Sequence, residues 1–516
     1  MHKQHAIIVG AGPAGLTAAY YFLTETNIRP IVLEKSNIVG GIARTPNFNG
    51  NRMDIGGHRF FSKDEDVLAL WNKLLPAQGS PALDDKILGR ESVLVDGGAN
   101  PDEVDEVFLN RNRVSRIFYR RKFFSYPVSL SFDTIKNLGL VEMFSIGASF
   151  LKAKYNQREE NTLEDFMINR FGQKLYETFF RDYTTKVWGR TPAEIGADWG
   201  KQRIRGLSLG KTIADFFRKT FGSKGTDETS LIERFFYPKL GAGQIWQKLA
   251  GEIKRHGGEV LFNSNVKKFR VVGKKIKAVI VDSPAGELTF PADYYLSSMP
   301  LSELADALGE NLPARPREIA KNLPYRDFIT VGLLVNKLAL KNQTKIKTLG
   351  DIVPDCWIYI QEPSVKLGRL QIFNNWSPYM VADPQNTVWL GLEYFCREGD
   401  ELWQMPENDF VKFAVDELSS IGIIDASDVR FGVQVKVPKA YPAYFDSYEN
   451  ISELRTALDE IENLYCIGRN GQHRYNNMDH SMLTAREAVR TIIGTSTREN
   501  IWNVNAEQTY HEETHE

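Results

Sequence analysis

Three glycines near the N-terminus have the spacing of a phosphate-binding turn. Gly10, Gly12 and Gly15 form the pattern G-x-G-x-x-G between the apolar run 6–9 and the apolar run 16–23. In such a turn the first glycine permits the bend, the second lets the backbone approach a pyrophosphate, and the third lets helix and strand pack closely. The start of the helix presents N–H groups and a positive dipole end to the phosphates. The sequence therefore predicts a dinucleotide site.

A carboxylate and a cation follow at suitable distances. Glu34 ends the next apolar run, about 20 residues after the glycines, where its carboxylate could accept a hydrogen bond from a ribose hydroxyl. Gly41 precedes Arg44, whose guanidinium could neutralise a diphosphate. The double glycine Gly56-Gly57 before His58 would let the backbone pass close to a flat ring. This order of blocks favours FAD over NAD.

The surrounding pattern of apolar runs predicts an α/β protein. We expect a discontinuous Rossmann-like FAD-binding domain, a helical subdomain and an antiparallel sheet that forms a substrate platform. The predicted domains are 1–65, 235–300 and 460–498 for the cofactor, 66–230 for the mainly helical part, 310–455 for the sheet, and 500–516 for a fraying polar tail.

Composition excludes several classes of partner. Lys and Arg total 64 and Asp and Glu total 65, so the chain has no global charge that would attract nucleic acid. Three widely spaced cysteines match neither a disulfide framework nor a zinc site, and a reduced, cytoplasmic setting is expected. We expect no bound metal and no membrane span. The short apolar segment 138–151 is predicted to be a core helix, with membrane-surface contact as the alternative.

Further segments resemble UDP-galactopyranose mutases in their longer, eukaryotic-type form, within the FAD superfamily of amine oxidases and protoporphyrinogen oxidases. They are Gly56-Gly57-His58, Lys186-Val187-Trp188, Trp357-x-Tyr359, Arg369 before Ile372–Trp376, and Arg469 with Tyr475–Ser481. The resemblance runs in order along nearly the whole chain. It implies an FAD-dependent isomerase of a UDP-linked sugar, with a role in cell-surface polysaccharide biosynthesis.

The resemblance also implies roles for single residues. Arg203 and Arg369 would hold the substrate diphosphate, although each could instead form an ion pair. His58 and Arg469 would lie beside the flavin, with His58 only positioning it. Asp479 could contact the cofactor, cap the last helix, or do both. The expected substrate contacts are Tyr126, Arg203, Trp357, Tyr359, Arg369, Trp376, Tyr441 and Tyr475. The expected cofactor contacts are Gly10, Gly12, Pro13, Ala14, Gly15, Glu34, Lys35, Gly41, Arg44, Gly56, Gly57, His58, Val266, Ser298, Met299, Gly468, Arg469, Asn477, Asp479 and Ser481.

The mechanism implied is covalent catalysis in which N5 of reduced FAD attacks the anomeric carbon and UDP leaves. NADPH or NADH would reduce the flavin, and an oligomer is possible. Two alternatives remain open. One is an FAD-dependent oxidoreductase of the protoporphyrinogen oxidase or desaturase type, and the other is a flavoprotein without catalytic activity.

Overall fold

A computed structural model describes residues 4–126, 132–197 and 234–505. The chain divides into two compact units. Unit 1 contains the described residues of Met1–Asn110, Phe236–Arg326 and Lys439–Tyr510. Unit 2 contains those of Arg111–Phe235 and Asp327–Pro438.

Unit 1 is built on a five-stranded sheet whose paired strands are all parallel. Its spatial order is Leu464–Cys466, Tyr294–Ser297, His5–Val9, Arg29–Leu33 and Glu259–Leu261. The central strand is a continuous apolar run because both faces of a parallel sheet are covered. Ile7 and Ile8 accordingly belong to two different buried clusters.

Helices and small sheets complete unit 1. The helices are Pro13–Glu25, Glu65–Leu74, Leu83–Leu88, Gly243–Arg255, Leu301–Leu308, Ala314–Lys321, Ile451–Asp459, Gly468–Gly471, Met478–Ile492 and Arg498–Asn503. The small sheets join Asn265–Val272, Lys275–Ser283 and Gly286–Pro291; Asn47–Phe48 and Asn51–Arg52; and Phe108–Asn112 and Arg234–Pro238.

Unit 2 is organised around a seven-stranded sheet. Its spatial order is Val429–Pro442, Tyr325–Val335, Val388–Cys396, Arg369–Ile372, Trp357–Ile360, Ser115–Tyr119 and Lys122–Ser125. Residues 325–326 and 439–442 of these strands are counted with unit 1. Its helices are Phe132–Leu138, Leu140–Tyr155, Leu163–Phe171, Gln173–Tyr176, Asp182–Trp188, Phe373–Trp376, Glu401–Gln404 and Glu407–Ser420. The predicted α/β class, with parallel and antiparallel sheets, is confirmed.

Strands at residues 108–125 differ from the mainly helical prediction for 66–230. Ser115–Tyr119 and Lys122–Ser125 form a hairpin whose turn residues, Arg120 and Arg121, have φ of 49° and 57°. Such turns usually carry Asn-Gly because both central residues need positive φ. Two arginines give no such signal, which is why the sequence pattern missed the hairpin.

The prediction of a core helix over 138–151 was wrong about burial. The helix Leu140–Tyr155 forms, but Leu140 is 78% and Phe144 82% exposed. Ile146 and Ala153 are its buried side chains. The prediction rests on the rule that an apolar run too short to cross a bilayer packs in a core. In this helix most of the large apolar side chains are exposed instead. Among the described residues, no helix is long and apolar enough to cross a membrane.

The start of the predicted polar tail is ordered. Residues Arg498–Asn503 form a helix in which Ile501 and Trp502 are buried. The Trp502 indole N–H donates to Asp459 Oδ1 over 3.2 Å, and the Arg455 guanidinium lies 5.3 Å from the ring centre. The burial of two apolar side chains thus holds this otherwise polar segment against unit 1.

Replacing Trp502 tests this attachment. Trp502→Ala should lower the free energy of unfolding by about 3–5 kcal/mol, because it removes a large buried ring from the core of unit 1. Urea unfolding followed by circular dichroism measures this difference. Asn503→Ala, at the exposed neighbouring position, is the control and should be near neutral. Equal stability of both variants would show that the helix is not attached.

Candidate functional site

The glycine turn of unit 1 leaves no room for a side chain at Gly10 or Gly15. A Cβ on Gly15 would lie 1.9 Å from the Gly10 carbonyl oxygen, and one on Gly10 would lie 2.3 Å from Ser298 Oγ. Gly10 also has a φ of +98°. A Cβ on Gly12 would be 3.8 Å from the Gly41 Cα, so two backbones without side chains approach each other there. This cradle fits a dinucleotide pyrophosphate.

Glu34 ties the glycine turn to the end of the second strand. Its Oε2 accepts the Ala11 N–H over 2.8 Å, and its Oε1 accepts the Ser36 N–H over 2.9 Å. The carboxylate therefore holds the loop, and a ribose contact stays a prediction. The nearby Arg44 donates to the Gly41 carbonyl over 2.7 Å. Burial lowers the Arg44 pKa and Glu34 opposes that shift.

Asp54 connects three segments around the loop that carries Gly56–His58. Its Oδ1 accepts the Thr45 hydroxyl and the Ala242 N–H at 2.5 and 3.0 Å, and its Oδ2 accepts the Tyr237 hydroxyl at 2.5 Å. Burial raises the Asp54 pKa to about 6, against the opposing effect of these donors. This residue was not among the predicted site residues.

His58 is held as a neutral ring. Its Nδ1 lies 2.9 Å from the Gly56 carbonyl oxygen, which places the proton on Nδ1. Burial lowers its pKa to about 4, and the positive charge of Arg469 acts in the same direction. A neutral imidazole suits the positional role that was predicted for His58.

Arg469 is stacked and hydrogen-bonded within unit 1. Its guanidinium lies 3.9 Å from the Tyr475 ring centre and 5.1 Å from that of Tyr441. It donates to the carbonyls of Ala440 and Asn476 over 2.8 and 3.1 Å. The two tyrosine rings are stacked, with centres 5.7 Å apart. The structure thus brings Tyr441 together with Arg469 and Tyr475, two residues of a later segment of the chain.

The last long helix begins at Met478. Asn477 is its N-cap, and the Asn477 N–H donates to His480 Nδ1 over 3.2 Å. Asp479 therefore does not cap the helix. It lies buried in the first turn, and Ser481 donates to the Asn477 carbonyl over 3.0 Å. A helix start of this kind can stabilise negative charge on a bound group.

The remaining predicted cofactor residues have mixed surroundings. Ser298 donates to the Val9 carbonyl over 2.8 Å, which places it beside the glycine turn. Gly468 has a φ of +75°, and a Cβ there would lie 2.8 Å from Ala14 Cβ.

Other predicted cofactor residues lie in the core or at the surface of unit 1. Val266 is buried, and Met299 packs on the same core. Lys35 is exposed and lies 3.8 Å from Glu303. Pro13 occupies the first helical position, and Gly57 is half-buried.

In unit 2, three chemically active side chains form one row across adjacent strands. Tyr359 pairs with Arg369, and Arg369 pairs with Glu393, in antiparallel register. Arg369 Nη1 lies 3.2 Å from Glu393 Oε2, and Arg369 Nε donates to the Tyr183 hydroxyl over 3.0 Å. Gln371 donates to the other Glu393 oxygen over 2.9 Å. Arg369 thus forms the ion pair that the sequence left open.

Aromatic rings surround this row. The Tyr126 and Tyr359 ring centres are 4.3 Å apart, and the Tyr183 ring meets Tyr359 edge-on at 5.7 Å. The Arg369 guanidinium lies 5.6 Å from the Trp357 ring centre. Burial raises the pKa of Tyr183 to about 12 and that of Tyr359 well above its ordinary value, so both phenols stay neutral. The cluster combines one cation with neutral hydrogen-bond donors.

Other predicted residues of unit 2 lie elsewhere. Trp376 is 1% exposed, and its indole N–H donates to the Cys356 carbonyl over 2.7 Å, so it supports the sheet from the core. Lys186 donates to the carbonyls of Ile360, Glu362 and Leu367. Burial lowers the Lys186 pKa to about 8. Arg203 lies outside the described residues.

Fold and glycine turn together define a flavoprotein with a dinucleotide-binding unit. The family model described as flavin containing amine oxidoreductase matches residues 13–493. The chain therefore belongs to this FAD-dependent family.

Solved structures share the fold. A reduced UDP-galactopyranose mutase is similar with a TM-score of 0.76 and 20% identity, over 98% of this chain and 99% of that one. A putative protoporphyrinogen oxidase from Exiguobacterium sp. 255-15 gives 0.66 and 14%, over 95% and 99%. Putrescine oxidase bound to putrescine gives 0.57 and 14%, over the same shares. At these identities the likeness shows the fold alone.

Replacing Gly15 tests the cradle. Gly15→Ala should abolish FAD retention, because its Cβ would collide with the Gly10 carbonyl and force the turn open. Gly251→Ala is a matched control, since Gly251 is also helical and has open space at its Cβ. Visible flavin absorbance after gel filtration measures retention. Full FAD content in Gly15→Ala would contradict the assignment.

Asp54 should make stability depend on pH. The pKa of Asp54 is about 6 in the folded state, compared with its ordinary value of 3.8. Between these two values the folded state therefore keeps a proton that the unfolded state has lost. The unfolding free energy should therefore fall as pH rises from about 4 to about 7, by about 3 kcal/mol more in wild type than in Asp54→Asn. Urea unfolding across this range measures the difference. Asp96→Asn, in an exposed loop, should follow wild type, and a parallel Asp54→Asn profile would refute the shift.

Proposed function

We propose that the protein is a flavin-dependent mutase of nucleotide-diphosphate sugars, of the type that interconverts UDP-galactopyranose and UDP-galactofuranose. The observation that carries this is the row Tyr359–Arg369–Glu393, lined by Tyr126 and Tyr183. A guanidinium with neighbouring phenols is a donor set suited to phosphate oxygens. The sequence resemblance around Lys186 and Trp357 supports the same assignment.

FAD, reduced by NADPH or NADH, would supply the nucleophile for the anomeric carbon. In unit 1, the glycine turn and Arg44 would hold its diphosphate. The start of the helix Met478–Ile492 would stabilise negative charge on its ring. In unit 2, Arg369 and the phenols would bind the leaving UDP and keep it for the return step. Tyr441 and Tyr475 are proposed as further diphosphate donors, and Arg203 as the second cation.

The pairing of Arg369 with Glu393 shapes this proposal. Glu393 is 1% exposed and Arg369 15%, so each charge needs the other in the buried row. Glu393 and Tyr183 fix the plane of the guanidinium before substrate arrives. Such preorganisation lowers the entropy cost of a bidentate phosphate contact. Glu393 is therefore proposed as a positioning residue.

The same pair favours a second candidate function. An arginine neutralised by a carboxylate among aromatic rings also suits a substrate without phosphate. An FAD-dependent oxidoreductase of the protoporphyrinogen oxidase or desaturase type would use these aromatic side chains to bind an apolar substrate. That enzyme would not bind UDP, which separates the two candidates.

UDP titration of FAD-loaded variants tests the proposal. Arg369→Ala should weaken UDP binding about tenfold or more, because a charge-assisted contact is worth roughly 1.5–3 kcal/mol. Arg369→Lys should recover only part of the affinity, since an ammonium cannot bind bidentately. FAD content should not change. Calorimetry measures the affinity directly.

A double variant separates binding from folding. Arg369→Met with Glu393→Gln removes both charges, so no uncompensated buried ion remains, and UDP binding should still be lost. The matched control is Arg116→Met with Asp355→Asn, a second buried pair that joins a strand of this sheet to the loop before Trp357, and it should leave UDP affinity unchanged. If the Arg369 double variant binds UDP like wild type, or if wild type binds none, the proposal fails.

A further inference from the structure

The helix Leu140–Tyr155 exposes a row of large apolar side chains. Leu140 is 78%, Val141 86%, Phe144 82%, Leu151 55% and Tyr155 85% exposed. At about 100° per residue, these five positions fall within an arc of about 100° on one side of the helix. We call this arc the apolar face. Large contiguous exposed apolar surface on a folded protein usually marks an interaction site.

The opposite side of the same helix is packed in the protein. Ile146 and Ala153 are buried, and they point away from the apolar face by the same geometry. The Lys174 N–H donates to Ser149 Oγ over 3.0 Å, and Lys174 pairs with Glu142 over 3.2 Å. The helix is thus anchored along one side, and the orientation of the apolar face is fixed.

Lysines border the apolar face on both sides. Lys152 follows one edge of the arc and Lys154 precedes the other, each by about 20–40°. Both are exposed, and in the described part of the chain neither ammonium group has a carboxylate partner. The only acidic residue of the helix, Glu142, is held by Lys174. Lysine stems can lie along an apolar surface while the charges reach a polar layer.

A basic hairpin tip lies next to the start of the helix. Lys122 Nζ donates to the Asn137 carbonyl over 2.9 Å, and Asn137 Nδ2 donates to the Phe123 carbonyl over 2.9 Å. These bonds fix the tip, which includes Arg120, beside the chain that leads into Leu140. Residues 120–155 carry six basic and two acidic side chains, whereas the whole chain is nearly neutral.

We propose that the apolar face and its basic border bind the surface of an anionic lipid bilayer. An amphipathic helix with apolar side chains on one face and lysines at its edges lies in the boundary between headgroups and acyl chains. Anionic headgroups attract the lysines and arginines, and this attraction adds to apolar burial. The proposal concerns a surface contact only, and it is independent of the reaction that the protein catalyses.

Charge decides among the possible occupants. A second copy of the same face would bring Lys152, Lys154 and Arg120 against their own equivalents, and such like charges repel. Nucleic acid would use the basic groups but would leave Phe144 and Leu140 in water. An anionic bilayer satisfies both the charges and the apolar side chains.

Co-sedimentation of the full-length FAD-loaded protein with vesicles tests this proposal. One set contains phosphatidylcholine only, and the other contains phosphatidylcholine with phosphatidylserine. The protein should sediment with the anionic vesicles, bind the neutral ones far more weakly, and lose most binding at high salt. Equal binding to both sets, or binding to neither, would overturn the proposal.

Variants locate the contact. Lys152→Glu with Lys154→Glu should weaken binding about 25-fold or more, since each lysine near the surface contributes about fivefold. Leu140→Ser with Phe144→Ser should weaken it about tenfold or more. The matched controls, Lys341→Glu with Lys345→Glu and the exposed Val272→Ser, should bind like wild type. Unchanged binding in the helix variants would refute the assignment.

Sedimentation velocity tests whether the apolar face binds a second copy of the chain instead of a bilayer. The proposal predicts that wild type and Leu140→Ser with Phe144→Ser have the same oligomeric state in the absence of lipid. If wild type is a dimer and this variant is a monomer, the face binds a second copy and the lipid proposal is overturned.

Discussion

The missing Cβ atoms of the glycine turn set the geometry on which unit 1 depends. Because Gly15 has no side chain, the first helix can lie against the Gly10 carbonyl. The turn then presents Ala11 to two partners, since its N–H binds Glu34 and its carbonyl binds the Gly40 N–H. The end of the second strand and the loop before Arg44 are therefore positioned by one local constraint.

Buried carboxylates organise both units, but they are stabilised in different ways. Asp54 has hydroxyl and amide donors around it, and burial raises its pKa because no cation of the described residues offsets it. Glu393 faces Arg369 directly across two strands, and Gln371 holds its second oxygen. The first arrangement joins loops without adding charge, whereas the second keeps a guanidinium oriented. An orienting carboxylate reconciles a buried arginine with a role in binding an anion.

Sequence patterns predicted the elements whose structure depends on residues close together in the chain. The glycine turn, the first strand and the helix after it follow from residue types within 25 positions. Asp54 could not be found this way, because its partner Tyr237 is 183 residues away. Glu393 required the register of two strands, which apolar runs do not fix. Trp376 was predicted to contact substrate but is buried in the core, and the burial of a single aromatic side chain depends on tertiary packing.

The exposed helix and the Arg-Arg hairpin show a different limit. In the helix, large apolar side chains are exposed to solvent, whereas such side chains usually pack in a core. In the hairpin, two arginines adopt positive φ, which glycine or asparagine usually adopts. Pattern rules average over ordinary cases and assign such segments to a core or to a helix. Departures of this kind occur where a protein has requirements beyond its own folding.

The most direct measurement of the central claim is anaerobic turnover of UDP-galactofuranose with the flavin either oxidised or reduced by dithionite. Product sugar nucleotide is separated by chromatography and quantified in both samples. A flavin-dependent mutase should form UDP-galactopyranose only in the reduced sample, with no net consumption of reductant. Equal turnover by the oxidised protein, or no turnover in either state, would contradict the mutase assignment.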